Sequence, residues 1–97
     1  MESIYESALC IEFKNHDLKF ERQKALPVEY KGNKIGEFRI DLLVENSIVV
    51  ELKSVERFDP VFEAQILSYM RLGKYKIGLL MNFNSKLLKE GIKRYII

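Results

Sequence analysis

The sequence is poor in the features that mark a secreted, membrane-spanning or strongly anion-seeking chain. Cys10 is its only cysteine, which excludes an internal disulfide and a thiolate metal cluster built from this chain, and suits reducing surroundings. His16 is the only histidine; it sits in a polar turn with no second ligand-type side chain at metal spacing. No apolar run approaches the roughly 20 residues needed to cross a bilayer, and the start lacks the basic-then-apolar pattern of a signal peptide. A cytoplasmic protein without a membrane partner is the expectation. Excess charge is missing as well: 16 Lys and Arg against 14 Asp and Glu leave +2, too little to advertise nucleic-acid binding. The two signs interleave along the chain, so any basic surface must be assembled by folding.

What is present is a globular composition. With 47% hydrophobic and 31% charged residues over 97 positions, the chain reads as one domain spanning residues 1–97, close to the size at which a single core becomes marginal. Residues 3–14 carry Ile4, Tyr5, Ala8, Leu9 and Ile11 at helical spacing, which predicts an amphipathic first helix. Leu18 to Gln23 alternates like an exposed strand, Pro27 marks an edge or a break, and Lys31-Gly32-Asn33-Lys34 offers Gly and Asn for a hairpin turn. From Ile35 to Glu45 the alternation is regular and predicts Phe38, Ile40, Leu42 and Val44 on one face, with Glu37, Arg39, Asp41 and Leu43 on the other. Ile48 to Val55 is a Val-rich strand pairing antiparallel with it. Asp59-Pro60 is a cap followed by proline in the first turn, so a helix runs from there through Leu72 and stops at Gly73. Ile77 to Phe83 suits a buried strand, and the tail beyond Ser85 holds a helical turn and a last strand ending at Ile97.

Glu51 and Lys53, two apart on the Val-rich strand, emerge on one face between Val49 and Val55, while Leu52 turns into the core. Charges there are costly unless paired or metal-bound. A turn near Asn46 brings Asp41 toward Glu51 across the ladder, and two facing carboxylates call for a cation. A hard divalent ion, Mg2+ or Mn2+, fits a set made of Asp41, Glu51 and the backbone carbonyl of Leu52. The plain alternative is a solvated strand face with Asp41 on the surface. The apolar setting, the Asp on the preceding strand and the capped helix that follows weigh against it.

This order of elements, with Asp41, Glu51-Leu52-Lys53 and the following helix, resembles the PD-(D/E)xK nuclease superfamily, whose α/β core is a restriction-endonuclease-like αβββαβ arrangement with a mixed sheet flanked by two helices. Gly36 to Val44, Val49 to Val55 and Glu63-Ala64-Gln65 look like the small GxxExxY proteins of that superfamily, with Glu2 and Tyr5 matching the named glutamate and tyrosine; the glycine would fall before Met1, and Ile40 replaces the superfamily's proline. The resemblance implies Mg2+-dependent hydrolysis of DNA or RNA phosphodiester bonds, with Asp41 and Glu51 on the metal and Lys53 at the attacking water or the phosphoryl charge. Gln65 and Tyr69 match the Q-x-x-x-Y pattern of the exonuclease-like branch, and Glu2 and Glu6 would each supply a helix-borne acid. Ordinary packing of Tyr69 and solvation of Gln65, Glu2 and Glu6 remain alternatives. So does a different class of function, a catalytically silent nuclease-fold module for nucleic-acid binding or assembly. The apolar circumference of the Pro60 to Leu72 helix further predicts a homodimer or larger assembly.

Overall fold

A computed structural model describes residues 1–97. Its elements in chain order are α1 (Glu2–Asn15), β1 (Phe20–Tyr30), β2 (Asn33–Val44), β3 (Ile48–Lys53), α2 (Pro60–Gly73), β4 (Ile77–Asn82), a 3-10 turn (Leu88–Gly91) and β5 (Ile92–Ile96). The strands form one mixed sheet in the order β1-β2-β3-β4-β5. Neighbours run antiparallel except β3 and β4, which are parallel and joined through α2. A parallel pair needs a crossover, and the helix that supplies it covers one sheet face. β3 is thus central, paired on both sides and covered on both faces, which is why its sequence is a nearly continuous apolar run.

One helix lies on each face. Beneath α2 pack Leu26, Ile40, Leu43, Val49 and Leu80 with Ile66, Tyr69 and Met70; beneath α1 pack Cys10, Leu42, Val44, Val50, Leu52 and Met81. Burying each of the large aliphatic side chains contributes about 1.5–3 kcal/mol. No helix is long and apolar enough to cross a membrane.

Several local expectations change. Pro27 does not interrupt β1, an edge strand, where proline is tolerated. At the tip of the β1–β2 hairpin the positive φ angles fall on Lys31 (49°) and Gly32 (79°), not on Asn33, because Tyr30 pairs directly with Asn33 across a two-residue turn. β3 ends at Lys53, so Val55 lies beyond the strand. Gly73 remains helical and Lys74 takes the left-handed cap conformation at φ 60°; the Tyr75 ring lies against Gly73 where a Cβ would stand. On α1, Ile4 and Ile11 are exposed, and the buried positions are Glu6 and Cys10. Polar anchoring explains this: the Gln23 amide donates to Glu6 Oε1 at 3.2 Å, and Arg22 approaches Glu6 Oε2 at 3.7 Å. Tyr5 also stacks on Phe83 with centroids 4.3 Å apart.

Candidate active site

The predicted single apolar face of β2 does not exist. Ile40 and Leu43 pack beneath α2, whereas Leu42 and Val44 pack beneath α1. Alternation has slipped by one residue around Asp41. Across the ladder in β1, Gln23 has φ 50° and drops out of the pairing between Arg22↔Leu42 and Lys24↔Ile40, although the register is the same on both sides; the register shift between these strands lies further along, between Val28 and Glu29. The local break at Gln23 and Asp41 re-aims side chains without inserting a residue into either strand. Glu37 and Arg39, grouped with Asp41 by the simple alternation, pair with each other at 3.3 Å, and Arg39 also donates to the Gln23 carbonyl.

β2 and β3 pair only from Leu42↔Val50 to Val44↔Ile48 and part at the next positions, Asp41 and Glu51. There the side chains replace the ladder. The Asp41 carboxylate accepts from the Leu52 N–H at 2.9 Å, and the Glu51 carboxylate accepts from the Asp41 N–H at 3.3 Å. Glu51 is only 3% exposed. Burial first, then hydrogen bonding and repulsion with the Asp41 carboxylate, push its pKa up to about 10. At neutral pH and without a cation, the Glu51 carboxyl therefore keeps its proton. A divalent ion would replace that proton and restore the Glu51 charge, so the donor chemistry fits a hard cation. No three His, Cys, Asp or Glu side chains are placed to hold a metal ion together, leaving two acids and main-chain carbonyls such as that of Leu52 as protein donors.

The other singled-out residues divide between the two sides of this fork. Toward α1, Asp41 lines a hollow of about 210 Å3 together with Glu2, Glu6, Gln23 and the Leu52 segment. Glu2 is exposed at it, and Glu6 is buried in the bond with Gln23. Toward α2, Lys53, Gln65 and Tyr69 share a second pocket of about 390 Å3 with Phe38 and Phe62. Gln65 donates to the Tyr69 hydroxyl at 2.8 Å, the i, i+4 geometry of one helix face. Burial, and then the Glu51 carboxyl, raise the Tyr69 phenol above its ordinary pKa, so it stays a hydrogen-bond donor. Lys53 forms no salt bridge with Glu51 or Asp41; its Nζ lies 4.6 Å from the centre of the Phe62 ring.

Sequence reasoning missed Gln23 and Asn82. Gln23 matters only because β1 lies beside β2 under α1, and nothing local to it signals that position. Asn82 is buried; it accepts from the Val55 N–H at 3.1 Å, donates to the Val55 carbonyl at 2.9 Å and accepts from the Asn84 N–H. With the Phe83 N–H donating to the Lys53 carbonyl at 2.9 Å, this pins the end of β3 that carries Lys53. A polar residue closing an apolar strand run was the available signal.

Searches of the curated proteins and of the solved structures find no significant match. A family model of the PD-(D/E)XK nuclease superfamily matches residues 1–95. With that match across nearly the whole chain, on a mixed sheet between two helices whose central strands part at Asp41 and Glu51, the chain belongs to the PD-(D/E)XK nuclease superfamily.

Proposed function

We propose that the chain is a divalent-metal-dependent nuclease that hydrolyses phosphodiester bonds of DNA or RNA. The observation that carries this reading is the buried contact of Asp41 and Glu51 at the fork between β2 and β3, where one acid stays protonated unless a cation takes the proton's place. Asp41, Glu51 and the Leu52 carbonyl would hold Mg2+ or Mn2+. Such an ion supplies Lewis-acid stabilisation of phosphoryl charge and lowers the pKa of a bound water. Lys53, a half-buried ammonium with no carboxylate partner, is available to position the attacking water or offset charge growing on the phosphoryl oxygens. Gln65 and Tyr69 donate hydrogen bonds to the substrate strand, and Glu2 adds an acid at the mouth of the Asp41 hollow.

Lys53→Met tests it. The ammonium is not a metal ligand, so cleavage of labelled DNA and RNA in Mg2+ or Mn2+ should be lost while Mn2+ affinity and thermal midpoint stay near the parent's. Unchanged turnover would refute the catalytic role. Nucleic-acid binding indifferent to metal, with no cleavage by the parent, would instead identify a silent nuclease-fold module.

The finer likeness to the GxxExxY proteins belongs to the same proposal and rests on Glu2, Tyr5 and the strand segments. So does a cytoplasmic location, which keeps Cys10 reduced. Homodimerisation is supported by the apolar side chains left exposed on the helices, including Ile4, Ile11 and Leu72. Light scattering giving a monomer mass across micromolar concentrations would remove it.

A further inference from the structure

A phosphate needs the acid pair and Lys53; it does not need the pocket beside them. That pocket, about 390 Å3 between β2 and the flank of α2, is apolar over most of its wall: Phe38, Val61, Phe62 and Ala64. Its polar atoms are few. Gln65 and Tyr69 are bonded to each other, and the Ser68 hydroxyl is committed to the Ala64 carbonyl at 2.8 Å. The Phe38 ring packs on Tyr69 with centroids 5.2 Å apart, yet the residue remains 41% exposed. Lys53 is the pocket's one cation.

Resting on the nuclease reading, we propose that this pocket takes an unpaired nucleobase next to the phosphate addressed by Asp41, Glu51 and Lys53, so the substrate is single-stranded where it is cut. A base is a flat aromatic ring with polar edges. The exposed Phe38 ring offers a stacking face, and every base has a π-face to place on it. The Gln65 amide both donates and accepts, and the Tyr69 hydroxyl donates, which serves any base edge without reading one sequence. Lys53 lies where the negatively charged backbone attached to that base must pass. A purely apolar occupant would leave the Lys53 charge and the Gln65 amide unused. In an intact duplex the base is stacked and its edge paired, so it reaches a lateral pocket only by being flipped out at a cost in stacking and pairing. Nor does a chain of net charge +2 carry the basic excess that offsets such a cost by gripping duplex phosphates.

The test uses the whole chain in EDTA, where nothing is cut. The probes are single-stranded DNA and RNA oligonucleotides carrying 2-aminopurine, the same strands annealed to complements, and single strands made abasic at that position. Single strands should bind at least about tenfold tighter than duplexes, with a change in 2-aminopurine emission, and the abasic strands should bind more weakly. Ala64→Trp fills the pocket from the exposed side of α2 and should cost about tenfold or more in single-strand affinity with little change in thermal midpoint. Phe38→Ala should cost a similar factor and Phe38→Tyr should restore it, a comparison that holds even if the Trp variant misfolds. Equal affinity for single strands and duplexes, or indifference to the Phe38 pair and to the abasic change, overturns the inference. If the parent cleaves duplex and single strand alike in Mg2+ and the pocket variants do so unchanged, the nuclease reading survives and this one falls. If nothing is cleaved but the single-strand preference and its loss in the variants hold, the pocket survives and the nuclease reading falls.

Discussion

Removing the titratable proton from the fork should stabilise the metal-free protein. Glu51→Gln keeps the shape of the side chain: its carbonyl still accepts from the Asp41 N–H, and its amide still donates to the Asp41 carboxylate in place of the Glu51 proton. What changes is linkage. The folded chain holds the Glu51 proton up to about pH 10, whereas the unfolded chain releases it near the ordinary 4.5. Between those values the folded state binds the extra proton, so parent stability is fully present below about 4.5 and falls as pH rises toward 10. From 4.5 to pH 7 is about 2.5 pH units at about 1.36 kcal/mol each, an upper figure of about 3 kcal/mol. Glutamine carries no such penalty. In EDTA at pH 7 the variant should therefore unfold on the order of 10 °C higher than the parent. At pH 5 the difference should shrink below about 1 kcal/mol. Saturating Mg2+ or Mn2+ should raise the parent's midpoint and move the variant's little, narrowing the gap. Thermal or urea unfolding followed by circular dichroism across pH 5–8, with and without metal, provides the measurement. A variant less stable than the parent in EDTA at pH 7, or a gain that does not shrink toward pH 5, would refute the reasoning.

Metal affinity should carry the same signature: Mn2+ binding displaces the Glu51 proton, so affinity should rise about tenfold per pH unit between pH 6 and 8, and calorimetry in two buffers of different ionisation enthalpy should count about one proton released. Asp41→Asn should abolish that binding, and retained binding would remove Asp41 from the ligand set. Asn82→Ala takes away three hydrogen bonds made by a buried amide and should cost about 2–4 kcal/mol in urea unfolding, together with a loss of activity through the displaced Lys53 end of β3. Asp59→Ala removes the exposed cap whose carboxylate accepts from the Val61 N–H at 2.9 Å, and should cost about 1 kcal/mol with the site undisturbed.

Much of the architecture was legible because its causes are local. The cap at Asp59 with Pro60 after it, the turn at Lys31-Gly32 and the apolar run of β3 each announce themselves within a few residues. Period two on β3 likewise placed Glu51 and Lys53 on one face. Even the slips there were small, since Lys74 and Lys31 took left-handed conformations where Gly and Asn were the local favourites.

The rest depended on contacts between distant segments. A perfect alternation over Phe38 to Val44 predicts one apolar face, whereas the chain breaks its pairing at Gln23 and Asp41, where Gln23 takes φ 50°, and Ile40 and Leu42 go to opposite helices. The outward turn of Ile4 and Ile11 on α1 was hidden for the same reason, because Glu6 finds its partners in Gln23 and Arg22 on another strand. The sequence alone placed an acid on each of two neighbouring strands and a lysine beside one of them. That the acids meet at a fork, that one is desolvated enough to keep its proton, and that Lys53 rests on Phe62 instead of bridging to Glu51, were decided by tertiary packing. Periodicity fixes which way a side chain leaves its own strand; where two strands part, and what surrounds the gap, depends on every element packed around them.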